Sequence, residues 1–247
     1  MSTALLHVKD LVKRFGGLTA TDHLDLDVNH LETLALIGPN GAGKTSLISQ
    51  LQGDLTPDAG SIHFDGRDIT HEPSYRRAHA GLARSFQISS VFPQFTLRDN
   101  VAVSVQARQG HSFRFWRNAQ RERALIEPAQ EMLDTVGLAR TDRLASDVSH
   151  GERRQLELAM ALAMQPKLLL LDEPMAGMGR EDSARMTTLL LGLKSRYSIL
   201  LVEHDMDAVF KLADRVTVLV AGKAIASGHP EHIRSDAAVR AAYLGHR

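Results

Sequence analysis

Gly38-Pro39-Asn40-Gly41-Ala42-Gly43-Lys44-Thr45 satisfies G-x-x-x-x-G-K-[ST] and lies between a continuous apolar run, Thr33 to Ile37, and a segment from Lys44 to Gln52 expected to be helical. No other feature limits the fold so strongly. An apolar run without alternation suits a strand buried on both faces, and such strands belong to parallel sheets wrapped by helices. The glycines at 38, 41 and 43 let backbone amides turn inward around an anion, and the helix behind them adds the positive end of its dipole. Pro39, Asn40, Ala42 and Ser46 complete the cradle, Lys44 reaches terminal phosphates, and Thr45 offers a hydroxyl to Mg²⁺.

The remaining pattern agrees with an α/β chain. Leu24, Leu26 and Val28 alternate with Asp25, Asp27 and Asn29, as in a strand with one wet face, so the chain is expected to open with an antiparallel sheet. Turn residues at 56–60 and at Asp65-Gly66 bracket a short strand, Ser61 to Phe64, that returns to it. From about Thr96 to Gly137 the pattern is helical, with Thr96 and Asp99 placed as a capping box and Gly137 as a stop. Buried strands follow at Leu168 to Leu171, Ile199 to Val202 and Val216 to Val220, with helices between them. One domain, 1–247, is expected: a nucleotide-binding core at about 1–86 and 150–247, and a helical subdomain at about 87–149.

Two further stretches carry chemistry. Leu168 to Leu171 leads into Asp172-Glu173, placing two carboxylates at the strand end where open parallel sheets bind ligands. Asp172 is expected to hold Mg²⁺ and Glu173 to polarise an attacking water. Ser149-His150-Gly151-Glu152 precedes an amphipathic run, and Ser149 with Glu152 fits the S-x-x-E capping box.

Composition narrows the partners. Lys plus Arg equal Asp plus Glu at 29 each, so no basic excess is present to hold nucleic acid. Arg108, Arg114, Arg117, Arg121 and Arg123, interleaved with Phe113, Phe115 and Trp116, are accordingly read as a face that contacts a partner protein. With no cysteine, disulfides and thiolate metal sites are excluded. Neither a signal peptide nor a run of ~20 apolar residues is seen, so a soluble chain is expected, with any membrane part supplied by another subunit.

In order and spacing, the phosphate loop, Gln87 after Ser85-Phe86, the Ser149-x-Gly151 helix start, the Leu-Leu-Leu-Leu-Asp-Glu strand and Val202-Glu203-His204-Asp205 resemble the ATP-binding cassette (ABC) family, from Leu5 to about Gly228. The resemblance implies a P-loop NTPase (RecA-like) core with an antiparallel β subdomain and an inserted α-helical subdomain, ATP hydrolysis, and ATP with Mg²⁺ as cofactors. Gln87 would join Thr45 and Asp172 around the metal and link water to a membrane subunit. Phe15 would stack on adenine, and His204 would contact the terminal phosphate beside the catalytic Glu173. Ser149 and Gly151 would act in trans, on a γ-phosphate held by a partner's loop. Two departures stand out: the usual Leu-Ser-Gly-Gly-Gln is here Val148-Ser149-His150-Gly151-Glu152, and the turn Ala176-Gly177-Met178-Gly179, called the D-loop in that family, ends in Gly where a polar residue is usual. Weaker coupling across a dimer is expected, with hydrolysis retained.

Arg14 to Ala20, Val202 to Met206, Gly228 to Arg234 and Tyr243-Leu244-Gly245 resemble one branch of the family, importers of branched-chain amino acids with relatives for urea, amides or aromatic acids. That resemblance implies a bacterial assembly in which this chain pairs with a second ATPase subunit, as a heterodimer or a homodimer. Two membrane permease subunits would complete it, served by a periplasmic binding protein, and the chain would sit peripherally on the cytoplasmic face of the inner membrane. Other readings share the loop. A DNA-repair or ribosome-associated ABC ATPase would carry a long coiled-coil insertion or two cassettes, an exporter ATPase would accompany an efflux domain, and a P-loop kinase would lack Ser149-x-Gly151.

Overall fold

The computed structural model describes residues 4–85, 91–110 and 123–241. In chain order β1 (Leu6–Phe15), β2 (Leu18–Val28), β3 (Thr33–Ile37), α1 (Lys44–Gln52), β4 (Ala59–Phe64), β5 (Arg67–Asp68), α2 (Ser74–Ala80) and β6 (Leu82–Ser85) form the first part. The helices α3 (Leu97–Gln109), α4 (Arg123–Thr135) and α5 (His150–Ala163) follow. The chain then alternates through β7 (Leu168–Asp172), α6 (Arg180–Leu193), β8 (Ser198–Val202), α7 (Met206–Leu212), β9 (Arg215–Val220) and β10 (Lys223–Gly228), ending in α8 (Pro230–Ser235) and α9 (Ala237–Val239).

Two sheets result. One is antiparallel with strand order β2-β1-β4-β5, and its alternating burial in β2 follows the Leu24, Leu26, Val28 pattern. The other has the order β10-β9-β3-β8-β7-β6, in which β9, β3, β8, β7 and β6 run parallel and β10 returns antiparallel at the edge. The leucine run of β7 shows why such strands need no alternation. Leu168 and Leu170 pack toward α1 and the antiparallel sheet, with Leu47, Leu51 and Phe64, whereas Leu169 and Leu171 face the helical layer, with Leu158, Leu162 and Leu190. Each buried leucine contributes ~1.5–3 kcal/mol, so both faces stabilise the strand.

On the helical side α3 and α4 pack on each other, and both pack on α5 through Val101, Val105, Ala129, Leu133 and Leu156. Thr96 caps α3 by accepting the Asp99 N–H at 3.0 Å. Gly137, at φ +79°, follows the end of α4. Because α5 also contributes Leu158 and Leu162 to the cluster around β7, one helix ties the helical layer to the sheet. The basic and aromatic stretch at residues 111–122 lies outside the described residues, as do Gln87 and Tyr243-Leu244-Gly245. Among the described residues no helix is long and apolar enough to cross a membrane.

Arg77, on α2, is only 2% exposed and holds the C-terminal end of α1. Its guanidinium donates to the carbonyls of Gln50 and Leu51 at 2.7 Å each, Glu72 at 2.8 Å and Thr70 at 3.0 Å. The last carbonyls of a helix have no partner within it, and Arg77 supplies two of them with charge-assisted donors. Arg77→Leu fills much of the same volume but leaves four buried carbonyls without these donors. It is expected to lower stability by about 3–5 kcal/mol, read as a fall in the thermal midpoint on the order of 10 °C.

Candidate functional site

Parallel β3, β7 and β8 lie side by side, so the residues that follow each strand emerge along one edge. From β3 comes the phosphate loop. At Gly43, with φ +102°, an added Cβ would stand 2.0 Å from the carbonyl oxygen of Ala20; at Gly38 it would stand 2.1 Å from that of Leu219. No side chain fits at either position, and the loop is therefore shaped by close backbone packing against β2 and β9. Lys44 is buried at the start of α1, donating to the carbonyls of Gly38 at 2.7 Å and Pro39 at 3.0 Å. Burial pushes its pKa down, while the charges of Glu173 and Asp172 pull it up. Thr45 is exposed beside it and Ser46 half-buried.

Asp172 ends β7, is 3% exposed and pairs with Arg84 of β6 at 2.8 Å. Burial pushes its carboxyl up, and Arg84 acts against that shift. Arg84 also donates to Gln52 Oε1 at 2.7 Å, joining β6 and β7 to the end of α1. Glu173 comes next in a left-handed conformation, φ +50°, which costs a non-glycine residue ~1–2 kcal/mol. Its N–H donates to the Val202 carbonyl at 2.8 Å. That turn directs the Glu173 carboxylate at His204, whose Nε2 lies 2.8 Å from Oε1, both side chains 39% exposed. A cleft of about 760 Å³ opens here, lined by residues that include Glu173, Met175, Arg180, Glu203, His204 and Lys211.

Other expected residues stand apart. Phe15 is exposed at the tip of the β1–β2 hairpin, with the Lys13 ammonium 5.7 Å from its ring centroid. Ser149 closes a complete capping box on α5. Its hydroxyl accepts the Glu152 N–H at 3.2 Å, and its own N–H donates to Glu152 Oε2 at 2.8 Å. The Ser149 N–H first, then Arg143 at 2.7 Å, holds the Glu152 carboxyl below its ordinary value. A Cβ on Gly151 would meet Asp182 Cγ at 2.9 Å, so α5 and α6 start in close contact. The His150 ring lies 3.2 Å from the Ala176 carbonyl. His150 thus bonds to the 176–179 turn and Gly151 packs closely on the start of α6, and no hydrogen bond of Ser149, His150 or Gly151 among the described residues joins them to the phosphate loop of the same chain. Two site residues escaped the sequence reading: Arg84, a charge inside a short strand, and Glu203, directly after the apolar run of β8.

An implied Mg²⁺ suits the residues present. Asp172 offers a carboxylate and Thr45 a hydroxyl, both hard oxygen donors, and the charge of Asp172 acts on Lys44 next to Thr45. Among the described residues no cluster of three or more His, Cys, Asp or Glu could form a metal cage. Mg²⁺ at nucleotide sites is bound by one or two such ligands plus phosphate oxygens, so few protein ligands are what the ion requires.

Comparison with known proteins follows the same lines. The model of the ABC transporter family matches residues 21–176, and that of the branched-chain amino acid ATP-binding cassette transporter family matches residues 225–247. The chain is 36% identical to the high-affinity branched-chain amino acid transport ATP-binding protein BraF of Pseudomonas aeruginosa, with 99% of each chain covered. It is likewise 36% identical to LivG of Escherichia coli, another high-affinity branched-chain amino acid transport ATP-binding protein, again over 99% of each. Among solved structures, a nucleotide-free ATP-binding cassette from an ABC transporter superposes with a TM-score of 0.87 at 28% identity, covering 98% of this chain and 99% of that one.

Proposed function

This chain belongs to the ABC transporter family, and from that premise we propose that it is the ATP-hydrolysing subunit of an importer for branched-chain amino acids or related small metabolites. The observation that carries the chemistry is the convergence of Lys44, Asp172, Glu173 and His204 on one edge of the parallel sheet. In this reading the phosphate loop and the N-terminus of α1 bind the nucleotide phosphates, with Lys44 the cation on their terminal oxygens. Thr45, Asp172 and Gln87 would hold Mg²⁺, which when bound would neutralise charge on the phosphate oxygens. Glu173 accepts a proton from the attacking water, whose oxygen bonds to the γ-phosphorus as the bond to the leaving ADP oxygen breaks. His204, at 2.8 Å, orients that carboxylate and reaches the phosphate being released. Phe15 supplies the face for adenine.

Ser149 and Gly151 are assigned to a second subunit's site. Their helix is fourteen residues long and is capped by Ser149, so in this reading the positive end of its dipole meets an anion held by a partner. In this reading the chain acts as a dimer together with membrane components. The finer composition proposed is a heterodimer with a second ATPase subunit, or a homodimer, beneath two permeases on the cytoplasmic face of the inner membrane, fed by a periplasmic binding protein. The matches at residues 225–247 and to BraF and LivG support this cargo.

Concentration tests the shared site. ATPase activity per mole of chain is expected to rise with protein concentration, or on adding the second ATPase subunit, and Ser149→Arg is expected to abolish the rise by blocking the helix end. Specific activity that stays flat over a wide dilution series, with the protein monomeric throughout, would contradict the reading.

A further inference from the structure

Glu203 is 4% exposed, and its carboxylate accepts three backbone N–H bonds from two separate segments. On one side Oε1 receives the Met175 N–H at 3.0 Å, at the start of the turn that follows Glu173-Pro174. On the other, Oε2 receives the N–H of His204 at 2.9 Å and, more weakly, of Asp205 at 3.4 Å. The residues flanking this clasp are Glu173 and His204, whose side chains meet at 2.8 Å. Glu173 also sits in a left-handed conformation that must be held by its surroundings. Its N–H is tied to β8 through Val202, and two residues later the same segment is tied to Glu203.

The turn itself supplies little to replace this connection. Ala176-Gly177-Met178-Gly179 carries no side-chain oxygen or nitrogen, so it has no polar side chain with which to grip residues 203–205. We propose that Glu203 is a positioning residue for hydrolysis, a carboxylate clasp that fixes the backbone on both sides of the Glu173–His204 pair and couples the 176–179 turn to His204. The hydrogen bonds its carboxylate makes among the described residues go to Met175, His204 and Asp205 and not to the phosphate loop. The proposal rests on the reading of Glu173 and His204 given above. An ionised carboxylate suits the role because it presents only acceptors to three donors, and such charge-assisted bonds are stronger than neutral ones. Glutamine keeps one carbonyl oxygen but turns an NH₂ group toward at least one N–H, so it should hold the geometry in part.

The test compares Glu203→Gln and Glu203→Ala with the unaltered chain in steady-state ATP hydrolysis, at a protein concentration where activity per mole has levelled off. Nucleotide affinity and thermal midpoint are measured alongside. The expected order of kcat is unaltered chain, then Gln, several-fold lower, then Ala, at least about 30-fold lower. KM and nucleotide Kd should stay within about threefold, because Lys44 and its loop lie on other elements. Should Glu203→Ala fail to fold, Glu203→Gln alone decides: a several-fold lower kcat at unchanged Kd supports the clasp. A kcat equal to that of the unaltered chain in either variant overturns it. So does a loss of nucleotide affinity in step with the thermal midpoint, which would mark a merely structural glutamate. Glu173→Gln, run in parallel, separates this from the underlying reading: normal hydrolysis by that variant removes the catalytic assignment itself, whereas failure at Glu203 alone leaves it standing.

Discussion

Glu173→Gln is expected to bind ATP as the unaltered chain does and to hydrolyse it at least ~10²-fold more slowly, the loss typical of removing a general base. The substitution is nearly isosteric, so the geometry should persist. The Glu173 N–H bond to Val202 is made by backbone, and an amide oxygen can still accept from His204 Nε2, where the carboxylate now lies at 2.8 Å. What is lost is the negative charge and the basic oxygen that takes the proton from water. Nucleotide affinity should be spared, because the phosphate loop is anchored by packing against Ala20 and Leu219 and by the Lys44 bonds to Gly38 and Pro39. Rapid-quench turnover with a parallel nucleotide-binding titration reads both quantities. Undiminished hydrolysis would assign Glu173 to structure.

Lys44→Ala should instead lose the nucleotide. Each charge-assisted bond from an ammonium to phosphate contributes ~1.5–3 kcal/mol, and Lys44 is the one side-chain cation within the Gly38 to Thr45 loop. Two such bonds together correspond to an affinity loss of about 10² to 10⁴-fold. Burial holds the pKa of Lys44 below its ordinary value, and the charges of Glu173 and Asp172 act against that shift. The same ammonium also braces its own loop through Gly38 and Pro39, which means the variant loses part of its preorganisation as well. Binding of a fluorescent ATP analogue by equilibrium titration is the check, with the thermal midpoint confirming a folded chain. Retained tight affinity would mean that the loop holds phosphate by backbone amides alone.

Much of this architecture could be read from local pattern because the elements concerned are dictated locally. The bounds of α1 and β3 follow from an apolar run, a glycine loop and a helix start in immediate succession, and the Ser149–Glu152 box is a four-residue motif with its own hydrogen bonds. The leucines of β7 announced a strand buried on both faces, as the two clusters on its sides bear out. Strand order was not legible, since the placement of β3 between β8 and β9 joins segments more than 150 residues apart. For the same reason the sequence hid Arg84, whose partner Asp172 is 88 positions away, and Glu203, whose Met175 contact spans 28. Arg77 was equally silent: an arginine on a short surface-looking helix gives no sign that its charge is buried against the end of α1. His150 and Glu152 read as departures from a family pattern, whereas the structure gives each a bonding role, His150 beside Ala176 and Glu152 in the cap.

The central claim is that two chains share one ATP between a phosphate loop and a Ser149 helix, and light scattering on Glu173→Gln addresses it most directly. In that variant bound ATP should persist, and a ligand that bridges two subunits stabilises their complex by mass action. With ATP and Mg²⁺, and with the second ATPase subunit added in case pairing requires it, the account predicts that the scattering mass doubles; with ADP it predicts the mass of a monomer. Equal dimer in both nucleotides, or monomer in both at saturating ATP, would contradict it.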